Sequence, residues 1–223
     1  KKGKEIRDFQ YGFIPFAVIT SIVVFLIMKE PDMGTMIVIT LTASTVFFVA
    51  GASIKHIFLG IVSGLGVLWL LIKSAPYRMQ RLLVFFNPNQ ENLGASYHIN
   101  QALLAIGSGG LLGLGFGQSK QKFLYLPSAH TDSIFAIIVE ELGFIRALLV
   151  IIVYIFIIWR GYNIAKNACD TFGKLLALGI TTWILVQAFI NISAIMGLLP
   201  LTGIPLPFIS YGGSSLIIML TSV

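Results

Sequence analysis

The stretch SIFAIIVEELGFIRALLVIIVYIFIIW, residues 133–159, decides the fold class of this chain. Its charged side chains are Glu140, Glu141 and Arg146, and the remainder is almost wholly apolar. A helix that crosses a hydrocarbon layer about 30 Å thick needs roughly 17–25 apolar residues. A helix on a soluble core would instead carry polar residues along one face at helical spacing. We therefore predict a transmembrane helix.

Similar apolar blocks recur along the chain, which is 57% hydrophobic and 11% charged, with a mean hydropathy of +0.91. A soluble domain carries about a quarter charged residues. The sequence predicts an all-α polytopic membrane protein, with one membrane domain over 1–223 and one long extracytoplasmic loop at about 74–132. Because the chain lacks an initiator Met and its last block stops early, we expect a fragment with about five complete spans and a truncated sixth. The predicted spans are about 12–28, 33–53, 57–73, 133–159, 173–199 and 212–223.

The net charge of +6 predicts membrane topology and not nucleic-acid binding. If the helices alternate, one side of the membrane collects most of the basic residues found near helix ends and in short loops, and such residues mark the cytoplasmic face. The loop at about 74–132 then lies outside, and Cys169 lies inside. The cytoplasmic residues are Lys1, Lys2, Lys4, Arg7, Lys55, Arg160, Lys166 and Lys174.

Two segments of low helical propensity lie on the predicted outer side. Six glycines fall between Ile99 and Gly117, where they disfavour an ordinary helix and permit close backbone approach. Three prolines within 200–207 rule out a continuous helix there and predict a tightly packed or re-entrant loop. Irregular backbone of this kind must be buried in protein or line a wet cavity. Nearer the N-terminus, Pro31 ends the first helix and Asp32 caps the second.

Asp132 is the outermost carboxylate before the fourth span. Counting about 20 residues back from the interfacial Trp159 puts the outer boundary near Glu140, and Asp132 about 12 Å beyond it. This position makes Asp132 either the N-cap of the helix or a reactive carboxylate in an outer vestibule.

The two glutamates of this span differ in their helical positions. Glu140 lies about 80° from Asp132 around a helix and can share a cavity with it, whereas Glu141 lies about 180° away. Structural pairing of both glutamates with Arg146 or with interfacial water is the alternative.

Three stretches together resemble the FtsW/RodA/SpoVE (SEDS) family of cell-shape and division proteins. They are EPDMGT at 30–35, INQALLAIGSGGLLGLGFGQSKQKFLYLPSAHTDSIFAIIVEELGFI at 99–145 and GLLPLTGIPLPFISYGGSSL at 197–216. The stretch YHINQ at 97–101 favours the division type. Arg146 stands where a glycine is more familiar in this family, and Ser128 takes a place often held by Glu or Pro.

The resemblance implies a peptidoglycan glycosyltransferase that polymerises lipid II at the outer face of the bacterial cytoplasmic membrane, in cell division or cell-shape maintenance. It implies lipid II and the nascent glycan strand as substrates, a class B penicillin-binding protein as partner, and contact with membrane lipid. Asp132 matches the carboxylate that the family is thought to use. A general base at that position would take the proton of the attacking sugar hydroxyl, and a single displacement would invert the anomeric centre.

The pyrophosphate leaving group needs charge neutralisation, from a cation clamp or from a divalent cation such as Mg²⁺. No metal site of the protein is predicted, since His98 and His130 lack metal-ligand spacing and are expected to pack or form hydrogen bonds. Ser210 is a further ligand candidate, although a role in capping the sixth helix explains it equally well. The candidate groups for substrate binding are Lys120, Lys122, Arg78, Arg81, Glu140 and Ser210.

Two rival functions fit the helices. A lipid II flippase would also use proline-broken segments, but it needs ionisable groups on several helices facing one path. The spans at 12–28 and 36–53 carry none between their ends. A non-catalytic scaffold of the wall-synthesis complex explains the helices but not the carboxylate in a vestibule.

Overall fold

The computed structural model describes residues 6–30, 32–86, 94–123 and 125–223. Lys1, Lys2, Lys4 and Pro31, which the topology and capping predictions name, lie outside the described residues. Regular structure in the described part is helical, including a π-helical segment Phe9–Phe13 and a short 3-10 turn Gln121–Phe123. The α-helices are α1 Ile14–Lys29, α2 Met33–Val49, α3 Ile54–Ser74, α4 Pro76–Phe86, α5 Ala95–Gly109, α6 Ile134–Asn167, α7 Thr171–Ile195 and α8 Gly213–Ser222.

The all-helical membrane fold is confirmed. Within the described residues, four helical segments are long and apolar enough to cross a membrane: Phe9–Lys29, Ile54–Ser74, Ile134–Asn167 and Thr171–Ile195. Helix α2 is also apolar but has 17 residues, and α8 has 10. The number of five complete spans therefore stays a prediction.

Helices α4 and α5 lie inside the segment 74–132, which the sequence analysis describes as a loop. The expectation of irregular backbone from Ile99 onward is wrong for its first half, because α5 continues to Gly109. Ile99, Ala102 and Ala105 are buried along one face of α5. Burial of this face offsets the cost of about 0.5–1 kcal/mol that each helical glycine carries relative to alanine.

The chain divides into two compact units, and one membrane domain over 1–223 stays a prediction. One unit comprises residues 1–76 and 160–186, and the other comprises 77–159 and 187–223. In the first unit, the predicted cap of α2 is confirmed: Asp32 Oδ1 accepts from the backbone N–H of Thr35 at 3.0 Å. The second unit contains the irregular segments and Asp132.

Helix α6 is interrupted at Gly143, whose φ of 80° and ψ of 170° are not helical. In a regular helix, the N–H groups of Phe144 and Ile145 would donate to the carbonyls of Glu140 and Glu141. Here Phe144 N–H donates to Gly110 O at 2.9 Å and Ile145 N–H donates to Leu111 O at 3.3 Å.

The carbonyls released by this interruption also find partners in the glycine-rich segment 110–115. Glu140 O accepts from Leu114 N–H, and Glu141 O accepts from Gly115 N–H, both at 3.0 Å. Two helical hydrogen bonds are thus exchanged for four hydrogen bonds to the irregular segment 110–115. This pairing satisfies backbone groups that would otherwise be costly to bury.

The absence of side chains permits this approach. A Cβ atom at Gly113 would lie 2.3 Å from Glu141 O, and one at Gly109 would lie 2.2 Å from Val139 O. Gly113 also has a φ of 82°, which side-chain-bearing residues rarely adopt. The predicted role of the glycines in close approach is confirmed at these two positions.

We expect Gly113→Ala to destabilise the protein and Gly107→Ala to leave it unchanged or slightly more stable. The first variant places a Cβ against the Glu141 carbonyl and forces a backbone conformation that costs about 1–3 kcal/mol. Gly107 is helical and exposed, and a Cβ there meets nothing within 4 Å. Thermal unfolding of the full-length protein in detergent measures both. Equal midpoints for the two variants would contradict the proposed packing.

Candidate active site

Asp132 lies in a turn that precedes α6 and does not belong to the helix. The backbone N–H groups of Thr131 and Ser133 both donate to Ser128 O, at 3.0 and 3.3 Å, and α6 begins at Ile134. Ser128 adopts a positive φ of 53°, which closes the turn. We refer to residues 128–133 as the Asp132 turn.

Helices α5 and α7 each hold the Asp132 turn by one side chain. His98 Nε2 of α5 lies 2.6 Å from the hydroxyl of Ser133, which is fully buried. The Nδ2 amide of Asn191, in α7, donates to the backbone carbonyl of Asp132 at 2.7 Å. The hydrogen-bonding role expected for His98 is therefore confirmed.

The proline-rich loop, residues 200–212, holds the same turn from another direction. Ser210 Oγ donates to Thr131 O at 2.5 Å, and Tyr211 N–H donates to His130 O at 2.8 Å. The loop is non-helical, as the prolines predict. Ser210 therefore anchors the turn in this structure, while the residue that caps α8 is Gly212.

Further hydrogen bonds fix the proline-rich loop itself. Asn191 Nδ2 also donates to Ile204 O at 2.7 Å, and Gln187 Nε2 donates to Pro205 O at 2.9 Å. The hydroxyl of Tyr154 donates to Pro207 O. The loop is thus tightly packed, as predicted, through side chains of α6 and α7.

The carboxylate of Asp132, in contrast to its backbone, accepts few hydrogen bonds. It is half-buried, and Oδ1 accepts from the hydroxyl of Thr131 at 3.1 Å. A Cβ built on Gly203 would lie 3.9 Å from Oδ2, so the loop approaches this oxygen with a residue that has no side chain. Within the described part of the chain, no N–H of the first turn of α6 donates to the Asp132 carboxylate, so the helix-cap interpretation is not supported.

Glu140 belongs to a different network from Asp132. Its side chain is almost completely buried and accepts from Ser119 Oγ and from the backbone N–H groups of Lys120, at 3.1 Å, and Gln121, at 3.4 Å. Helical periodicity predicts Glu140 on the Asp132 side of a continuous helix, but Asp132 precedes the helix and Glu140 points into segment 117–122. Its proposed substrate contact stays a prediction.

Glu141 is also buried, and its partner is Lys122. Their ion pair measures 2.6 Å, and the carboxylate also accepts from the N–H groups of Gly117, at 2.9 Å, and Ser119, at 3.4 Å. Of the alternatives considered, pairing with Arg146 is not what the structure shows, since the exposed guanidinium of Arg146 donates to Leu112 O at 3.5 Å. Sequence position along α6 gave no sign that segment 117–122 folds back onto the helix.

The four predicted substrate cations therefore have unequal surroundings. Lys122 is held by Glu141, and Arg78 is buried with its Nε donating to the hydroxyl of Tyr77 at 2.8 Å. Lys120 is exposed. Arg81 is also exposed, and its Nη1 donates to Leu201 O, in the proline-rich loop, at 3.2 Å.

The charges of Asp132 and Arg81 act in opposite directions on the pKa of His98. Burial lowers the pKa of His98 from 6.5, the charge of Asp132 acts to raise it, and the charge of Arg81 acts to lower it. The neutral imidazole is thus favoured at neutral pH. Within the described ranges, no three His, Cys, Asp or Glu side chains are placed to hold a metal ion. A divalent cation stays a prediction for the substrate-bound protein.

Asn191 and Gln187 are two residues of this site that were not predicted, although their sequence pattern carries a signal. Both are polar, both lie in an apolar helix, and they are four residues apart, so that they share a face. Polar side chains inside a predicted span are costly and therefore point to a function or a buried partner. The four-residue spacing of these polar side chains was the available sequence signal for a buried polar site.

These features define a polytopic helical membrane protein with a carboxylate presented on a turn outside its long helices. A family model described as cell cycle protein, FtsW/RodA/SpoVE, matches residues 1–223. The chain belongs to this family, as its motifs predict.

Similar proteins are known from several bacteria. The chain is 47% identical to stage V sporulation protein E of Bacillus subtilis over 224 residues. It is 39% identical to the probable peptidoglycan glycosyltransferase FtsW of Geobacter sulfurreducens over 223 residues. Each match covers 100% of this chain and 61% or 60% of the relative. The chain thus spans about three fifths of the length of these curated relatives.

Two solved structures share the fold. One, from a peptidoglycan synthase complex that coordinates polymerization and crosslinking, matches with a TM-score of 0.76 and 24% identity, over 97% of this chain and 60% of that chain. The other is a crystal structure of a mutant of the rod shape determining protein RodA of Thermus thermophilus. It matches with a TM-score of 0.63 and 26% identity, over 99% of this chain and 58% of that chain.

We expect the stability of the protein to fall as the pH drops below 6.5, the ordinary pKa of histidine, because the folded protein lowers the pKa of His98. The variant His98→Gln should lose part of this pH dependence. The unfolded chain binds the proton more readily than the native imidazole, so acid favours unfolding by at most about 1.4 kcal/mol per pH unit. Unfolding midpoints from about pH 7 to about pH 5.5 measure the effect. An identical acid dependence in His98→Gln would contradict it.

Proposed function

We propose that the full-length protein is a peptidoglycan glycosyltransferase that polymerises lipid II at the outer face of the cytoplasmic membrane. The observation that carries this proposal is the pattern of hydrogen bonds around Asp132. Its turn is tied by α5, α7 and the proline-rich loop, while its carboxylate receives no helix N–H within the described residues. The name probable peptidoglycan glycosyltransferase FtsW, borne by the Geobacter sulfurreducens relative, supports the same activity.

In the proposed reaction, the 4-hydroxyl of one sugar attacks the anomeric carbon of a sugar linked to lipid pyrophosphate. Asp132 accepts the hydroxyl proton as the new C–O bond forms. The bond from the anomeric carbon to the pyrophosphate oxygen breaks, and the pyrophosphate leaves with that electron pair. One displacement inverts the anomeric centre, and a well-placed base contributes about 10²–10⁴-fold to the rate.

The leaving pyrophosphate needs positive charge close to the reacting carbon. Of the four predicted cations, Arg81 has the best support, because it is exposed and bound to the loop that holds the Asp132 turn. Lys120 is exposed as well, whereas Lys122 already compensates Glu141 and Arg78 is buried. A divalent cation bound with the substrate is the alternative source of charge.

The proposed partner is a class B penicillin-binding protein, which would crosslink the strand that this protein extends. The broad apolar faces of α1 and α2 support an association with other membrane helices, because many of their large hydrophobic side chains are exposed. The proposed orientation puts segment 74–132 outside and the connection between α6 and α7 in the cytoplasm.

The single cysteine tests this orientation. Cys169 is exposed between α6 and α7, so a membrane-impermeant maleimide should label it in opened cells and not in intact spheroplasts. Labelling in intact spheroplasts would place Asp132 on the cytoplasmic side and contradict polymerisation at the outer face.

The catalytic role is tested by Asp132→Asn in the full-length protein. Asparagine keeps the size of the side chain but cannot take a proton, so glycan-strand formation from lipid II should fall by about 10²–10⁴-fold. Asp170→Asn is the matched control. Asp170 is exposed and accepts from Gly173 N–H at the start of α7, and asparagine caps helices equally well.

Labelled lipid II, followed for both polymerisation and movement across the membrane, distinguishes the rival functions. Movement of lipid II across the membrane without polymer would favour a flippase, and neither polymer nor movement would favour a scaffold. Polymerisation by Asp132→Asn at the rate of Asp170→Asn would exclude Asp132 as the base.

A further inference from the structure

Asn191 is the residue that ties Asp132 itself to the proline-rich loop. It lies in α7 with 2% of its surface exposed. Its amide nitrogen donates to the carbonyl of Asp132 and to the carbonyl of Ile204, both at 2.7 Å. A primary amide has two N–H donors, so both are used, one on each segment.

The side chain of Asn191 is satisfied on its donor side and not on its acceptor side. Asn191 Oδ1 is buried, and in the described part of the chain it has no hydrogen-bond partner. A buried acceptor without a partner is unfavourable for folding, so this side chain stabilises the junction only through its two donated hydrogen bonds. The observed residue nevertheless fixes the separation between the Asp132 carbonyl and the loop carbonyl.

The separation between the Asp132 carbonyl and the proline-rich loop affects two proposed reactive groups, the Asp132 carboxylate and the Arg81 guanidinium. The proline-rich loop carries Gly203 against Asp132 Oδ2, and through Leu201 O it holds the guanidinium of Arg81. Whatever fixes the loop against the backbone of Asp132 also fixes the proposed base relative to the proposed cation.

We infer that Asn191 is a positioning residue, which sets the geometry of the Asp132 carboxylate against the proline-rich loop. The inference rests on the proposed glycosyl-transfer function. Ser210 and Tyr211 reinforce the same junction, but they bind Thr131 and His130 and leave Asp132 itself to Asn191.

Gln187 provides a matched control. It lies one turn earlier in α7, is similarly buried, and donates to Pro205 O of the same loop at 2.9 Å. It makes no hydrogen bond to the Asp132 turn among the described residues. Replacing either residue by leucine removes an amide of α7 from the loop, so the two variants differ in whether the backbone of Asp132 is released.

The test compares Asn191→Leu with Gln187→Leu in the full-length protein, using lipid II as substrate. We expect kcat for polymerisation to be at least about tenfold lower in Asn191→Leu, since small displacements of a reacting group are costly. The KM of the two variants should agree within about twofold. Equal kcat values, or a difference confined to KM, would overturn the positioning role.

A conservative variant keeps the test decisive if Asn191→Leu does not fold. Asn191→Gln retains both N–H donors but moves them by one methylene group, so kcat should fall while KM stays within about twofold of the parent. Parental kcat in Asn191→Gln would overturn the inference. An inactive parent protein would instead contradict the proposed function, so the two failures are distinguishable.

Discussion

The interruption of α6 at Gly143 is the constraint on which the second unit depends. A helix that opens inside an apolar element must pair every released backbone group. Here four groups, two on each side of the opening, pair with residues 110–115. That pairing draws the glycine-rich segment against α6, and the carboxylates of Glu140 and Glu141 then hold the residues that follow, from Gly117 to Lys122. The chain reaches the Asp132 turn directly from this anchored stretch.

The acidic groups of the site are hydrogen-bonded in two different ways. Two buried glutamates are compensated by N–H groups, by Ser119 and by Lys122, so they serve to hold the backbone. Asp132 has the opposite arrangement, because its backbone is held and its carboxylate is not. Lys122 is engaged by Glu141, whereas Arg81 is exposed and donates to the proline-rich loop, so Arg81 is the better candidate for the cation of the proposed reaction. Charge near a reacting group is most effective when it is held in place beforehand.

Much of this fold follows from local sequence. The apolar runs predict α6 and α7, the prolines predict the irregular loop, and Asp32 is a cap as its position indicates. Two kinds of feature could not be predicted from local sequence. Helix α5 continues through glycines because its buried face outweighs their cost, and that depends on neighbours distant in sequence. The ion pair of Glu141 depends on segment 117–122 folding back onto α6, which helical periodicity alone does not describe.

Residue-level hydrogen exchange on the full-length protein in detergent tests the closure of the α6 opening most directly. The four amides that bridge it are those of Leu114, Gly115, Phe144 and Ile145. All four amides should be protected in the parent protein, and Gly113→Ala should accelerate their exchange together, because one pairing protects them all. Rapid exchange at Leu114 and Gly115 alongside strong protection at Phe144 and Ile145 would indicate a continuous helix and contradict the account.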